Sequence, residues 1–248
     1  MSKLVIIGNG ISGVTVARHV RKLSDMNILI ISAETEHFFS RTALMYVFMG
    51  HMKFEHTKPY EDHFWQKNRI DLKQGQITDI NTDEKILTLA SGEHIDYSQL
   101  VLATGSQSNK FGWPGQDLPG VQTLFSYQDL ELMENNSKYA KRAVMVGGGL
   151  IGVEMAEMLI SRGIQVTFLV REDRFWGNIL PHGEAELVQK EYKKKIPFTK
   201  SELYEATSIP GTIKKAKNIW SGMKYTAGKV KGYLNKLENV LRHYNVFL

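Results

Sequence analysis

The chain has 248 residues, 42% hydrophobic and 23% charged, with a formal net charge of +5, a composition typical of an ordinary globular protein with one large or two small domains. No apolar run approaches the roughly 18 residues of a membrane span, and a strand predicted from residue 4 leaves no room for a secretory signal, so a cytoplasmic location is expected. Because cysteine is absent, the sequence excludes disulfides, cysteine-ligated clusters and a redox-active dithiol; the histidines lack metal-ligand spacing, and no metal site is predicted.

The first glycine fingerprint, Gly-Asn-Gly-Ile-Ser-Gly at 8–13, stands between two predicted elements. The apolar run 4–7 predicts a strand, and residues 14–23 predict a helix. In such a turn the first glycine permits a tight bend, the second lets the backbone approach a pyrophosphate, and the third lets the helix pack on its strand. The helix N-terminus adds free N–H groups. We therefore predict that a dinucleotide contacts Gly8, Gly10, Ile11, Ser12 and Gly13.

An acidic residue follows the second predicted strand. Residues 28–31 form an apolar run, and Glu34 comes 21 positions after Gly13. A carboxylate at this strand end commonly accepts hydrogen bonds from an adenosine ribose, so Glu34 is a candidate ribose ligand.

The middle of the chain alternates short elements with polar turns. A loop beginning with Phe-Phe-Ser-Arg at 38–41 is followed by helices predicted at 42–49 and 61–67, and by strands predicted at 70–72, 75–80, 86–89 and 99–105. The turns at 81–84 and 91–92 indicate a small β-meander within this set. The last strand ends in Ala103-Thr104-Gly105, and a linker is predicted at 106–120.

The second fingerprint, Gly-Gly-Gly-Leu-Ile-Gly at 147–152, has the same setting, between a strand predicted at 143–146 and a helix predicted at 153–162. Two such turns indicate two dinucleotides; glycine-rich turns in an ordinary α/β sheet are the alternative. After the next strand, Arg171 could pair with a 2′-phosphate and Glu172 could bind a free 2′-hydroxyl, which leaves NADH and NADPH open. The candidate ligands of this unit are Gly147, Gly149, Ile151, Gly152, Arg171 and Glu172.

The last part of the chain is basic. After a helix predicted at 181–195 and a short strand at 196–199, residues 209–248 contain eight Lys and Arg against one Glu, a net charge of +7 that leaves −2 for the rest. Apolar residues from Val230 to Tyr244 recur at helical spacing and predict an amphipathic helix. We expect this helix to pack on the body of the protein. A membrane surface or a partner groove is the alternative, and nucleic acid is unlikely to be its target.

The two fingerprints, the β-meander, Ala103-Thr104-Gly105 and Gly152-Val153-Glu154 together resemble the pyridine nucleotide–disulfide oxidoreductase superfamily of flavoproteins. Residues 38–41 and 64–72 are most similar to nitrite reductase flavin domains and NADH:rubredoxin reductase-type enzymes. The resemblance covers about residues 3–205. It implies an α/β fold of tandem Rossmann-like units: an FAD-binding domain at 1–112 carrying a small antiparallel β-meander, and an incomplete NAD(P)-binding domain at 113–208. Outside the resemblance, the charge and helical spacing of the last residues predict a basic amphipathic helical tail at 209–248.

The resemblance also implies roles for individual residues. In the first unit the glycines would hold the FAD pyrophosphate, Glu34 a ribose, and Arg41 the phosphate charge. The backbone of Ile77 would touch adenine, and the flavin would be lined by Ala103, Thr104 and Gly105. In the second unit the glycines would hold the pyrophosphate of NAD(P)H, with Glu154 near the nicotinamide as the candidate catalytic residue. Alternatively, Glu154 is an exposed glutamate favoured by the helix dipole, and Arg41 a surface arginine.

The implied activity is that of an FAD-dependent NAD(P)H:acceptor oxidoreductase, in which a hydride passes from nicotinamide to flavin. Without cysteine, electrons would leave for an external acceptor: a small redox protein, a quinone or oxygen. Relatives finish the FAD domain through a strand that ends in Gly-Asp, a dipeptide absent from this sequence, so a shortened form is expected. The alternatives are a catalytically inactive nucleotide-binding remnant whose basic helix docks on a partner or membrane, and a subunit completed by another chain.

Overall fold

The computed structural model describes residues 2–110, 112, 115–169, 175–176, 179–195 and 245–247. The chain divides into two units, one of Met1–Gln107 with Phe125–Gln128 and the other of Ser108–Leu124 with Asp129–Leu248. The first unit therefore includes four residues, Phe125–Gln128, that come later in the sequence than the first residues of the second unit.

Within Met1–Gln107, the first unit contains seven strands and three α-helices. The strands are β1 (Lys3–Ile7), β2 (Asn27–Ser32), β3 (Ile70–Gln74), β4 (Ile77–Asn81), β5 (Ile86–Leu89), β6 (His94–Asp96) and β7 (Gln99–Leu102). The helices are α1 (Ile11–Leu23), α2 (Leu44–Phe48) and α3 (His63–Lys67), with 3-10 turns at Arg41–Ala43 and Phe54–Thr57. A parallel sheet has the order β3-β2-β1-β7, and an antiparallel sheet has the order β4-β5-β6.

The parallel sheet is apolar on both faces because alternate residues of its central strands face opposite sides. On one face, Leu4 and Ile6 belong to a buried cluster that includes Val14 and Ala17 of α1 and Trp65 of α3. On the other face, Val5 of β1 and Ile31 of β2 pack with Leu87, Leu89 and Ile95 of the antiparallel sheet. Helices cover one face of the sheet and the β-meander covers the other.

The second unit has a four-stranded sheet of its own. Its strands are β8 (Val121–Gln122), β9 (Arg142–Val146), β10 (Gln165–Leu169) and β11 (Asn245–Phe247), paired in parallel in the order β10-β9-β11-β8. Its helices are α5 (Leu150–Ser161) and α6 (His182–Lys195), and most of α4 (Tyr127–Ser137) belongs to it. The buried side chains of α5 include Met155, Met158 and Leu159, which are fully enclosed.

The structure confirms the predicted α/β class, the two strand–turn–helix units and the small antiparallel sheet. The tail departs from prediction at its last described residues, since 245–247 form strand β11 and the helix predicted over 209–248 is wrong for these three residues. The remainder of that helix, and the strand predicted at 196–199, lie outside the described residues. Among the residues that the structure describes, no helix is long and apolar enough to cross a membrane.

Candidate functional site

The first glycine turn joins β1 to α1, as predicted. Gly8 has a φ of +110°, a conformation that a residue with a side chain rarely adopts. A Cβ built on Gly8 would also lie 2.0 Å from the carbonyl oxygen of Ala103, just after β7. Both backbone conformation and space therefore require glycine here.

The other two glycines of this turn have opposite surroundings. A Cβ on Gly13 would lie 2.0 Å from the carbonyl oxygen of Gly8, so this glycine lets α1 approach its own strand. Around Gly10, no atom of the described residues lies within 4 Å of a Cβ position. Gly10 is the N-cap of α1, and no side chain caps the helix there. The first N–H groups of α1 thus face an open position.

The side chains at the mouth of this turn are exposed. Ile11 is 69% exposed at the start of α1, and Leu102 is 62% exposed at the end of β7. Ser12, Thr104 and Gly105 are exposed as well. This carboxyl edge of the parallel sheet suits a ligand with an anionic centre and flat apolar ends. The N–H groups at the start of α1 can bind the anionic centre, and the exposed apolar side chains can cover the flat ends.

Glu34 and Arg41 form one ion pair in the first unit. The Nη1 of Arg41 donates to Oε1 of Glu34 at 2.9 Å, and its Nη2 donates to Oε2 at 2.6 Å. The Glu34 side chain is 19% exposed and the Arg41 side chain is 35% exposed. The sequence predicts both residues as separate cofactor ligands, whereas the structure brings them together, so that each neutralises the other's charge.

Ile77 lies in β4, paired with Leu89 of β5, and packs against the cluster of Val5 and Ile31. Ile77 is therefore part of the β-meander, and none of the described hydrogen bonds joins it to the glycine turn. Ala103, by contrast, lies beside Gly8 in that turn.

The second glycine turn repeats the geometry of the first between β9 and α5. Gly147 has a φ of +109°, and a Cβ on Gly152 would lie 2.4 Å from the carbonyl oxygen of Gly147. Gly149 is the N-cap of α5, where no described side chain caps the helix, and no described atom lies within 4 Å of its Cβ position. Leu150 and Ile151 are 51% and 62% exposed.

The remaining predicted residues of the second unit divide into one that is described and two that are not. Glu154 lies on α5, partly buried, one turn after the glycines. Arg171 and Glu172 lie outside the described residues. No group of three or more His, Cys, Asp or Glu in the described part of the chain could hold a metal ion.

Two residues near the turns were not found from the sequence. Asn9 is buried, and its Nδ2 donates to the carbonyl oxygen of Thr35 at 2.7 Å, which ties the first turn to the loop after β2. The backbone N–H of Trp176 donates to the carbonyl oxygen of Gly148 at 3.0 Å. An asparagine between two fingerprint glycines signals the first contact; no local pattern signals the second.

A family model described as pyridine nucleotide-disulphide oxidoreductase matches residues 2–216. The benzene 1,2-dioxygenase system ferredoxin–NAD(+) reductase subunit of Pseudomonas putida is 31% identical over 179 residues, covering 71% of this chain and 44% of that protein. An NADH oxidase of Methanocaldococcus jannaschii is 31% identical over 206 residues, covering 77% of this chain and 45% of that protein. The chain therefore spans less than half the length of these curated relatives.

The fold is similar to that of a solved NAD-dependent persulfide reductase from A. fulgidus. The TM-score is 0.71 at 27% sequence identity, and the match covers 78% of this chain and 38% of that one. Both glycine turns fall within the range of the family match, 2–216.

Proposed function

This chain belongs to the pyridine nucleotide-disulphide oxidoreductase family, and we propose that it is an FAD-dependent NAD(P)H:acceptor oxidoreductase. One observation carries the proposal. Within the matched range, a single strand–turn–helix geometry occurs twice, and in each copy no described atom lies within 4 Å of a Cβ position at the middle glycine, Gly10 or Gly149. One protein with two such turns can hold two dinucleotides.

We assign FAD to the first unit. Its pyrophosphate would lie at Gly10, where no described side chain caps the N–H groups at the start of α1 and the helix dipole favours negative charge. Glu34 would accept a ribose hydroxyl, with Arg41 beside it. The exposed apolar side chains of Ile11 and Leu102 suit the flat ring systems of FAD. Ala103, Thr104 and Gly105 would line the flavin ring.

NAD(P)H is assigned to the second unit, on the equivalent open position at Gly149. Ile151, exposed in the first turn of α5, would cover part of the nucleotide. Glu154 would orient the nicotinamide as a positioning residue on α5. The choice between NADH and NADPH depends on Arg171 and Glu172.

A bound flavin supplies hydride acceptance and the release of electrons one at a time. The chain itself binds, orients and shields; with no cysteine among its residues, it offers no dithiol relay. We assign a small ferredoxin-type redox protein as the acceptor, because one relative is named a ferredoxin–NAD(+) reductase subunit. A quinone or oxygen is the alternative.

Visible absorbance under nitrogen tests the proposal. Purified protein is titrated with FAD, and NADH or NADPH is then added to the complex. Bound FAD that is bleached by either nicotinamide supports the oxidoreductase and identifies the preferred donor. Flavin binding without bleaching would identify the alternative, a nucleotide-binding protein without catalysis. No binding of FAD at high concentration would overturn both.

The acceptor is tested in the same preparation. The reduced protein is mixed with a ferredoxin, a soluble quinone or dissolved oxygen, and the return of flavin absorbance is followed. Fastest reoxidation by the ferredoxin supports the assignment; faster reoxidation by quinone or oxygen contradicts it.

A further inference from the structure

Four residues of the first unit lie apart from the rest of it in the sequence. This return segment, Phe125–Gln128, belongs to the first unit although the residues on both sides of it belong to the second. The segment contacts Glu34 and the residues packed around it. The N–H of Tyr127 donates to Oε1 of Glu34 at 2.8 Å, and Nε2 of Gln128 donates to the carbonyl oxygen of Glu34 at 2.8 Å.

Arg41 joins the same cluster from the other side. Its Nη1 donates to the carbonyl oxygen of Phe125 at 2.6 Å, in addition to its two bonds to the Glu34 carboxylate. The guanidinium carbon lies 4.3 Å from the centre of the Phe125 ring, within the range of a cation–π contact. Arg41 therefore ties Glu34 to the return segment.

Aromatic packing fixes the segment further. The rings of Tyr127 and Phe54 have centroids 4.1 Å apart, and Phe54 in turn lies 5.2 Å from Phe39. Tyr127 is also the first residue of α4, so Glu34 places a carboxylate at a helix N-terminus, where negative charge is favourable. The carboxylate and the segment thus stabilise each other's position.

The hydrogen bonds divide the two oxygens of Glu34 unequally. Oε1 accepts from both Arg41 and Tyr127, which uses its two lone pairs, whereas Arg41 is the one donor to Oε2 among the described residues. With the side chain 19% exposed, Oε2 keeps one lone pair for a further donor. A carboxylate already held in one rotamer also loses less conformational entropy when a ligand binds.

We propose that the return segment is a positioning element of the first dinucleotide site: through the Tyr127 amide and Arg41 it fixes Glu34 so that Oε2 accepts one ribose hydroxyl of an adenine nucleotide. This inference rests on the proposed function of the first unit. It assigns to residues far along the chain a part in ribose recognition, beyond the residues of the fingerprint.

The test measures binding of ADP, 2′-deoxy-ADP and 3′-deoxy-ADP to the full chain by titration calorimetry. Because a hydrogen bond to a charged group is stronger than one between neutral groups, the unmodified protein should prefer ADP over one deoxy analogue by about 10- to 150-fold. Glu34→Gln should remove most of that preference. Equal affinity for all three nucleotides in the unmodified protein would overturn the inference while leaving nucleotide binding intact.

A matched pair at residue 127 isolates the amide. Tyr127→Pro removes the N–H at the first position of a helix, where proline is tolerated, and Tyr127→Ala removes the ring but keeps the N–H. We expect the proline variant to lose the preference for ADP over the deoxy analogue and the alanine variant to retain more of it. An unchanged preference in the proline variant contradicts the inference, even if ADP itself still binds.

A second variant guards against misfolding of the proline protein. Arg41→Lys keeps the charge but cannot form the two parallel bonds to Glu34. Arg41→Lys should lower the preference for ADP over the deoxy analogue. In the unmodified protein, hydrogen exchange at the Tyr127 amide should slow when ADP binds. A protein that binds neither ADP nor FAD would overturn the proposed function and this inference together; ADP binding with a normal preference in Arg41→Lys and no slowing at Tyr127 would overturn the inference alone.

Discussion

Gly8 and Gly147 hold the same place in two turns, with φ values of +110° and +109°. Their surroundings differ. A Cβ on Gly8 would meet the carbonyl oxygen of Ala103 at 2.0 Å, whereas a Cβ on Gly147 would meet no described atom within 4 Å. In the first unit, the residue that follows β7 lies against the turn. The two turns thus share one bend, and at Gly8 a neighbouring carbonyl oxygen also occupies the space that a Cβ would need.

The largest effect is expected from alanine at the first glycine of each turn. Gly8→Ala combines a positive φ with a backbone clash and should lower the free energy of unfolding of the first unit by about 4–5 kcal/mol. Gly147→Ala carries the backbone strain alone, about 1–2 kcal/mol. Hydrogen exchange with peptide-level mass spectrometry reports each unit separately. Equal destabilisation by the two variants would show that the surroundings of the turns do not differ.

A proline in β11 tests whether that strand completes the second sheet. Val246 pairs with Val144 of β9 and Val121 of β8, so Val246→Pro disrupts an internal strand and should destabilise the second unit by about 3 kcal/mol. The control Val246→Thr keeps the N–H and the branched side chain. Hydrogen exchange in β9 should accelerate in the proline variant alone, with the first sheet unchanged; unchanged exchange in β9 would refute the pairing.

The middle glycines should separate the two cofactors. A Cβ at Gly10 or Gly149 meets open space, so alanine there should leave stability nearly unchanged. Gly10→Ala should weaken FAD binding about tenfold, a difference of about 1.4 kcal/mol, without affecting NAD(P)H; Gly149→Ala should do the reverse. Titration of each variant with both cofactors measures this. Loss of both cofactors in either variant would contradict one site per turn.

The smallest effect concerns one exposed carboxylate in each unit. A hydrogen bond from Arg69, together with its charge, holds the pKa of Asp25 below its ordinary value of 3.8, and Lys110 lowers the pKa of Asp117 in the same way. The stability contributed by each pair is complete above pH 3.8 and is lost as the pH falls through the lowered folded-state pKa.

Both aspartates are largely exposed, so solvent screens the pairs and the effect on stability is small. NMR titration should show Arg69→Ala returning the pKa of Asp25 to about 3.8, and Lys110→Ala doing so for Asp117. A carboxyl that titrates normally in the unmodified protein would refute the corresponding pair.

The sequence predicted those parts of the fold that local patterns determine. Each fingerprint carries its own strand, turn and helix, and β5 was predicted at its observed bounds, 86–89. Helix α4 was missed because its apolar residues are few and its sequence is largely polar. Strand β11 was missed because Val240, Leu241 and Tyr244 recur at helical spacing, and its identity as a strand depends on β8 and β9, which lie far earlier in the chain.

The candidate site shows the same limit. An acid at the end of β2 was predicted from its distance to the fingerprint, and Glu34 is there. Its pairing with Arg41 and the Tyr127 amide was not predicted, because spacing along the chain carries no information about which loop returns to which strand end. The roles of both residues in cofactor binding stay predictions.

The place of β11 between β9 and β8 has a consequence for synthesis of the chain on the ribosome. The first unit has all its described strands once residue 102 has emerged, and its return segment by residue 128. The second sheet waits until Asn245–Phe247 emerge, and until then β9, with three buried residues in five, has one edge without its partner. An apolar strand with an open edge is a template for aggregation. The nascent chain is therefore most vulnerable after the first unit has folded, and it is the second unit that needs protection.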